Sequence, residues 1–96
     1  MRRAAKVDAN QGEIVNVFRN MGCAVLPLHA VGKGCPDLLI STANINILVE
    51  IKDGSKPPSQ RLLTPDQQKF HMNWKGPLFV IKSTQEAIDL VNGIRA

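Results

Sequence analysis

The sequence predicts a mixed α/β fold, one sheet covered by helices, with its elements in the order helix, three strands, helix, strand, helix. Three observations lead there. Apolar positions Ile14, Val17, Phe18 and Met21 recur at i, i+3, i+4 and i+7, the spacing of one helix face. From Asn46 to Lys52 the chain alternates strictly: Ile47, Val49 and Ile51 point one way and Leu48, Glu50 and Lys52 the other, as strand side chains do. Thr64-Pro65-Asp66-Gln67 and Ser83-Thr84-Gln85-Glu86 each carry the hydroxyl, and the partner three positions on, that open a helix.

The chain's 96 residues suffice for one core and are too few for two, so residues 1–96 are expected to form a single domain. Twelve Lys and Arg against eight Asp and Glu leave a formal charge of +4, which favours an anionic partner without naming it. Cys23 and Cys35 lack metal-ligand spacing and follow no secretory leader, so a reduced, cytoplasmic chain is expected. No apolar run approaches the roughly 20 residues that span a bilayer, and no membrane association is expected.

Residues 1–7, with Arg2, Arg3 and Lys6, are expected to be a flexible solvated tail, phosphate contact being the alternative. Asp8 or Asn10 is placed to cap the first helix, which ends at Gly22. Glu13, three residues after Asn10, is a capping-box partner on the plain reading. It also flanks the buried stripe, from which it would reach a site beneath the helix. Ala24-Val25-Leu26-Pro27-Leu28 reads as a strand whose proline belongs at a sheet edge or bulge.

Gly32 and Gly34 bracket Lys33 in a turn. Cys35-Pro36-Asp37 then leads into a second strand beginning Leu38-Leu39-Ile40, and Thr42-Ala43-Asn44 turns the chain into the alternating third strand as an antiparallel hairpin. Asp53 to Leu63 is a loop with Pro57 and Pro58, carrying Lys56 and Arg61. At about 10 residues it is longer than most connections, and such loops are more often functional. Its basic side chains suit a passing phosphate backbone, with a solvated surface loop as the alternative.

The second helix is expected to run from Thr64 to about Trp74 and to stop at Gly76-Pro77. Its inward face is predicted to bury Phe70 and Trp74 while presenting Gln67 and His71. Gln67 has two readings, the capping box alone or a place in an active site. His71 reads as a packed or hydrogen-bonded histidine in preference to a ligand, having no metal-type partner at helical spacing. Leu78 to Lys82 is a short strand, and Ala87, Leu90, Val91 and Ile94 form the buried stripe of a last helix.

The third strand spends two charges, Glu50 and Lys52, on one face of an apolar run, and unpaired buried charge is costly. A metal ion between Asp37 and Glu50 would meet that cost. Hydrolysis of a phosphodiester needs an activated water and charge near phosphorus, and Mg²⁺ or Mn²⁺ bound by carboxylates supplies both. Asp37 and Glu50 are then the ligands, with the backbone carbonyl of Ile51 as a third and waters completing the octahedron. Lys52 would orient or help deprotonate the attacking water and offset charge in the transition state. No organic cofactor is implied.

Taken together, the first helix with Glu13, the Gly34-Cys35-Pro36-Asp37 turn, Glu50-Ile51-Lys52 and Thr64-x-x-Gln67 resemble the PD-(D/E)xK nuclease superfamily. Within it the chain resembles the VRR-NUC group, in particular small stand-alone phage-type members that look like Holliday junction resolvases. The likeness runs from about Asn10 to Val91. It implies a restriction-endonuclease-like αβββαβ core, here with an extra C-terminal helix, a divalent metal and phosphodiester cleavage. It implies that Glu13 binds or polarises the metal and that Gln67 positions Lys52 or the water. No counterpart is expected in these 96 residues to the extra domains that position DNA in large members, so substrate choice is not carried over.

The expected function is a metal-dependent, structure-selective DNA endonuclease, a homodimer cutting branched DNA in the cytoplasm of its cell or, if phage-encoded, of the host. Lys33, Lys56 and Arg61 are the expected DNA contacts. Two alternatives stay open: a monomeric flap or single-strand nuclease, and a non-catalytic DNA-binding module. A binding module would have no need of Asp37, Glu50 and Lys52 together. The purely structural reading pairs the acids with Lys52 and Lys33 as salt bridges, which contribute little when exposed and cost when buried.

Overall fold

The computed structural model describes residues 8–96, and the expectations for residues 1–7 lie outside the described residues. The elements are α1 (Gln11–Asn20), β1 (Ala24–Pro27), β2 (Leu38–Thr42), β3 (Ile45–Ile51), α2 (Pro65–Asn73), β4 (Leu78–Ile81) and α3 (Thr84–Arg95), with a short 3-10 turn at Pro58–Gln60. This is the expected αβββαβ order followed by one more helix. The four strands form one sheet in the order β1-β2-β3-β4. Pairing is antiparallel for β1 with β2 and β2 with β3, and parallel for β3 with β4. The parallel pair follows from α2, which carries the chain back before β4 begins.

Strand period sorts the sheet into two faces. Leu38, Ile40, Ile47, Val49, Ile51 and Ile81 point toward α1 and α3, where Ile14, Phe18, Ala87 and Val91 complete the core with no solvent exposure. Burying Ile14 or Phe18 contributes about 1.5–3 kcal/mol each. Leu90 and Ile94 of the expected α3 stripe pack partly buried against this core. Pro27 ends an edge strand, where its missing N–H breaks no ladder. The hairpin between β2 and β3 turns on Ala43 and Asn44, both with positive φ, the mirror-image turn that matches strand twist.

Helix ends show where local signals held and where they were overridden. α1 closes at Gly22 (φ +85), with the Gly22 and Cys23 amides donating to the carbonyls of Arg19 and Phe18. α2 opens with the full box, Thr64 accepting from the Gln67 amide and Gln67 accepting from the Thr64 amide. At α3 Ser83 accepts from the Glu86 amide, but Glu86 reaches back to the Lys82 amide, one residue beyond the expected box. At α1 the expected side-chain cap is absent. Asn10 is in the αR region, and its amide donates instead to the carbonyls of Lys52 and Lys82, 3.2 Å each. It thereby ties the C-terminal ends of β3 and β4 together, a use that outranks a local cap.

The second helix corrects another expectation. Phe70 and Trp74 are not buried: no residue of α2 is, and Trp74 stays 46% exposed. The apolar core is filled on the α1 and α3 side of the sheet, and α2 lies over the other face, where Glu50 and Lys52 point. Polar contacts hold it there.

Candidate active site

Antiparallel register builds the site. Leu38 pairs with Val49, so one step further places Asp37 opposite Glu50, on the face away from the core. Pro36, fully buried, leads the chain into that position. The Asp37 carbonyl accepts from Leu28 at 2.7 Å, and its carboxylate oxygen Oδ2 accepts from the Ile51 amide at 2.7 Å. Asp37 is thus fixed by backbone on both sides.

Glu50 is 1% exposed and Lys52 is 9% exposed. The Lys52 ammonium donates to Gln67 Oε1 at 2.7 Å, and Gln67 Nε2 donates to Glu50 Oε2 at 3.4 Å. One amide therefore spans the acid and the base of the strand. His71 Nε2 lies 3.4 Å from Glu50 Oε1, so both Glu50 oxygens face α2 side chains. Burial first, then the hydrogen bond and charge of Asp37, push the Glu50 carboxyl up to about 9, against the pull of Lys52. His71 is lowered, by burial and then by Lys52. The Cys35 thiol is raised by burial, then by Glu50 and Asp37.

Asp8 is also in this cluster. Burial, then Asp37, raise its carboxyl, while Lys52 pulls the other way. The sequence marked Asp8 only as a helix cap, and no local pattern distinguishes the two roles. Asn10 was likewise visible only as a cap, and His71 as a packed or hydrogen-bonded histidine whose partner the sequence did not name.

The mouth of the site is a cavity of about 190 Å³ lined by His29, Gly32, Lys33, Gly34, Cys35, Asp37, Thr64, Asp66 and Gln67. Lys33 sits at φ +56 between two glycines that also have positive φ, so the turn aims a cation beside Asp37. Lys56 is half-buried in the loop after β3, within electrostatic reach of Asp8. Glu13 is elsewhere: it is exposed on α1, whose inward side packs on the sheet face opposite Glu50. With Arg61, Asn10, Asp53 and Glu86 it lines a different cavity of about 430 Å³. There Asn10 Oδ1 and Arg61 Nε are buried without a partner. The structure thus brings Asp37, Glu50, Lys52 and Gln67 together, with Lys33 at the rim, and sets Glu13 and Arg61 apart.

The site's donor set consists of two facing carboxyls and nearby backbone. Among the described residues no group of three or more His, Cys, Asp or Glu side chains is disposed to hold a metal ion. Any ion at the pair would complete its shell with a carbonyl and waters, as Mg²⁺ commonly does.

The element order and the mixed sheet define a restriction-endonuclease-like fold, with the two acids where the start of β2 lies beside the end of β3. Within that class this chain has the VRR-NUC fold. A solved structure titled "VRR_NUC domain" is 24% identical, covers 88% of this chain and 97% of its own, and superposes with a TM-score of 0.64. No family model matches the sequence, and no curated protein matches it.

Proposed function

We propose that this chain is a divalent-metal-dependent DNA endonuclease that hydrolyses phosphodiester bonds in branched DNA, working as a homodimer on Holliday junctions. The observation that carries the reading is the buried face of β3, where Asp37 and Glu50 stand side by side with Lys52 beyond them. The likeness to a VRR-NUC structure supports it.

The residues present fit a divalent cation. Burial, Asp37 and Asp8 all raise the Glu50 carboxyl and Lys52 alone lowers it, so positive charge between the acids is favoured. Asp37, Glu50 and the Ile51 carbonyl would hold Mg²⁺ or Mn²⁺, which supplies Lewis-acid charge at phosphorus and makes water more acidic. The chain's own groups do the rest. Gln67 directs the Lys52 ammonium, and the Thr64 amide and capping box hold Gln67 in turn. Lys52 so held would orient the attacking water and offset charge on the phosphate. Water oxygen bonds to phosphorus, and the ester oxygen leaves with a proton. His71 holds the second Glu50 oxygen toward α2.

Lys33 and Lys56 would contact phosphates around this centre, and Arg61 would do so from the neighbouring cavity that it lines with Asp53. Resolving a four-way junction takes paired cuts on opposing strands, most simply from two sites related by a two-fold axis. Leu26, Leu62, Phe79 and Val80 offer exposed apolar surface for such a dimer. A monomeric flap or single-strand nuclease is the second reading, favoured by the exposed Trp74 stacked on half-buried Phe70 beside the site.

The test is a cleavage assay on four-way junctions, flaps, single strands and blunt duplex, with Mn²⁺ and with chelator, alongside sedimentation at micromolar concentration. Mn²⁺-dependent junction cleavage by a species near twice 10.5 kDa supports the proposal. Cleavage of flaps by a monomer selects the second reading, and no cleavage of any DNA overturns both.

A further inference from the structure

We infer that the cavity beside the acid pair is a subsite for an unpaired nucleotide of the DNA, its base packed against the Phe70 and Trp74 wall and its phosphates held by Lys33 and Lys69. The inference rests on the nuclease reading and specifies its substrate class. The cavity is about 420 Å³, lined by Lys33, Asp66, Lys69, Phe70, Asn73 and Trp74.

Its position ties it to the site. Lys33 and Asp66 line both this cavity and the one that holds Asp37 and Gln67, so a strand leaving the first passes into the second. Gln67 lies in the first turn of α2 and Trp74 directly follows its last residue, Asn73, so about 10 Å of helix axis separates them at roughly 1.5 Å per residue. At about 3.4 Å per nucleotide of a duplex strand, that is a reach of at most some three nucleotides.

Its surface suits a base. The Phe70 and Trp74 rings stack with centroids 5.3 Å apart and planes 16° from parallel, yet Trp74 is 46% exposed. A Cβ on Gly76 would stand 3.1 Å from the indole nitrogen, so bare backbone also rests against the ring. A large indole fixed on a neighbour yet left open to solvent contributes less to stability than a buried one, and it presents a rigid aromatic wall. Aromatic side chains of this kind hold bases lying outside a helical stack, because a base inside a duplex is covered on both faces.

Its charge suits a phosphate. Two ammonium groups face one carboxylate, and that carboxylate, Asp66, lies in the first turn of α2, where the positive helix end offsets it. Lys33 is delivered by three successive positive-φ residues, Gly32, Lys33 and Gly34, so its position is built into the turn.

Trp74 is the chain's single tryptophan, so its emission reports on the cavity directly. The full chain, in chelator, is titrated with a blunt duplex and with the same duplex carrying an unpaired extension. The extension should quench Trp74 emission and bind more tightly, while blunt duplex leaves emission unchanged. Trp74→Ala should weaken binding of the extended DNA roughly tenfold and leave blunt duplex binding as it was. Lys69→Gln, which keeps the aromatic wall, should reduce the same preference and the logarithmic salt slope for single-stranded DNA by about 0.7. An equal emission response to both DNAs overturns the subsite, as does equal weakening of both by Trp74→Ala. If Trp74 emission and the preference behave as expected but Mn²⁺ yields no cleavage, the nuclease reading fails and the subsite stands. Cleavage with no preference change in Trp74→Ala gives the reverse result.

Discussion

Gly34 lies against the first turn of α2 so closely that a Cβ on it would stand 2.3 Å from the Asp66 carbonyl oxygen and 2.8 Å from the Gln67 amide nitrogen. Gly34 also has φ +78. Both facts make glycine the residue that lets the turn before Asp37 seat the helix carrying Gln67. Gly34→Ala should cost on the order of 2 kcal/mol or more, from backbone strain plus displacement of rigid main chain. It should also move Gln67 off Lys52, so cleavage should fall further than DNA affinity. Denaturant midpoints and turnover on one substrate check this; a variant with unchanged stability would show that the turn and helix separate freely.

Glu50→Ala and Asp37→Ala should each abolish cleavage and leave DNA binding largely intact, since neither removes a basic contact. Lys52→Ala should also be inactive while still binding Mn²⁺, measured by calorimetry. Normal turnover by any of the three would sink the assignment.

Stability should depend on pH through Glu50. Its carboxyl is raised from 4.5 to about 9 in the folded chain, so between those values the folded state holds a proton that the unfolded state has released. Where the native state binds more protons, stability falls as pH rises. The metal-free protein should therefore lose thermal stability across that window, Glu50→Gln should flatten the loss, and added Mn²⁺ should stabilise more at the alkaline end. A melting temperature that rises with pH over the same range would contradict the buried carboxyl pair.

Replacing Lys56 and Arg61 together with alanine should weaken DNA binding and flatten its logarithmic salt dependence by up to about two units, as for two lost phosphate contacts. An unchanged slope would mean that the loop after β3 points away from DNA.

What the sequence by itself determined is what repeats locally. A period of two put Glu50 and Lys52 on one strand face, a period near 3.6 marked α1 and α3, and Thr64 with Gln67 marked the start of α2. Asp37 followed from the turn that precedes β2. The resemblance to VRR-NUC proteins added a role for Gln67 in positioning Lys52 or the water, and the structure shows Lys52 donating to Gln67 at 2.7 Å.

Only the tertiary structure decided which faces meet. Asn10 donates to Lys82, 72 positions away, and Asp37 accepts from Ile51, 14 positions away. Such partners are chosen by sheet register and helix packing, which no window of a few residues encodes. That is why the place of Asp8 and the Glu50 partner of His71 were not foreseen, and why Glu13, correctly placed on its helix, lines a separate cavity with Asp53 and Arg61. Phe70 and Trp74 failed for the same reason. Their spacing describes one face of a helix, but burial requires an apolar surface opposite, and α2 is laid over charge.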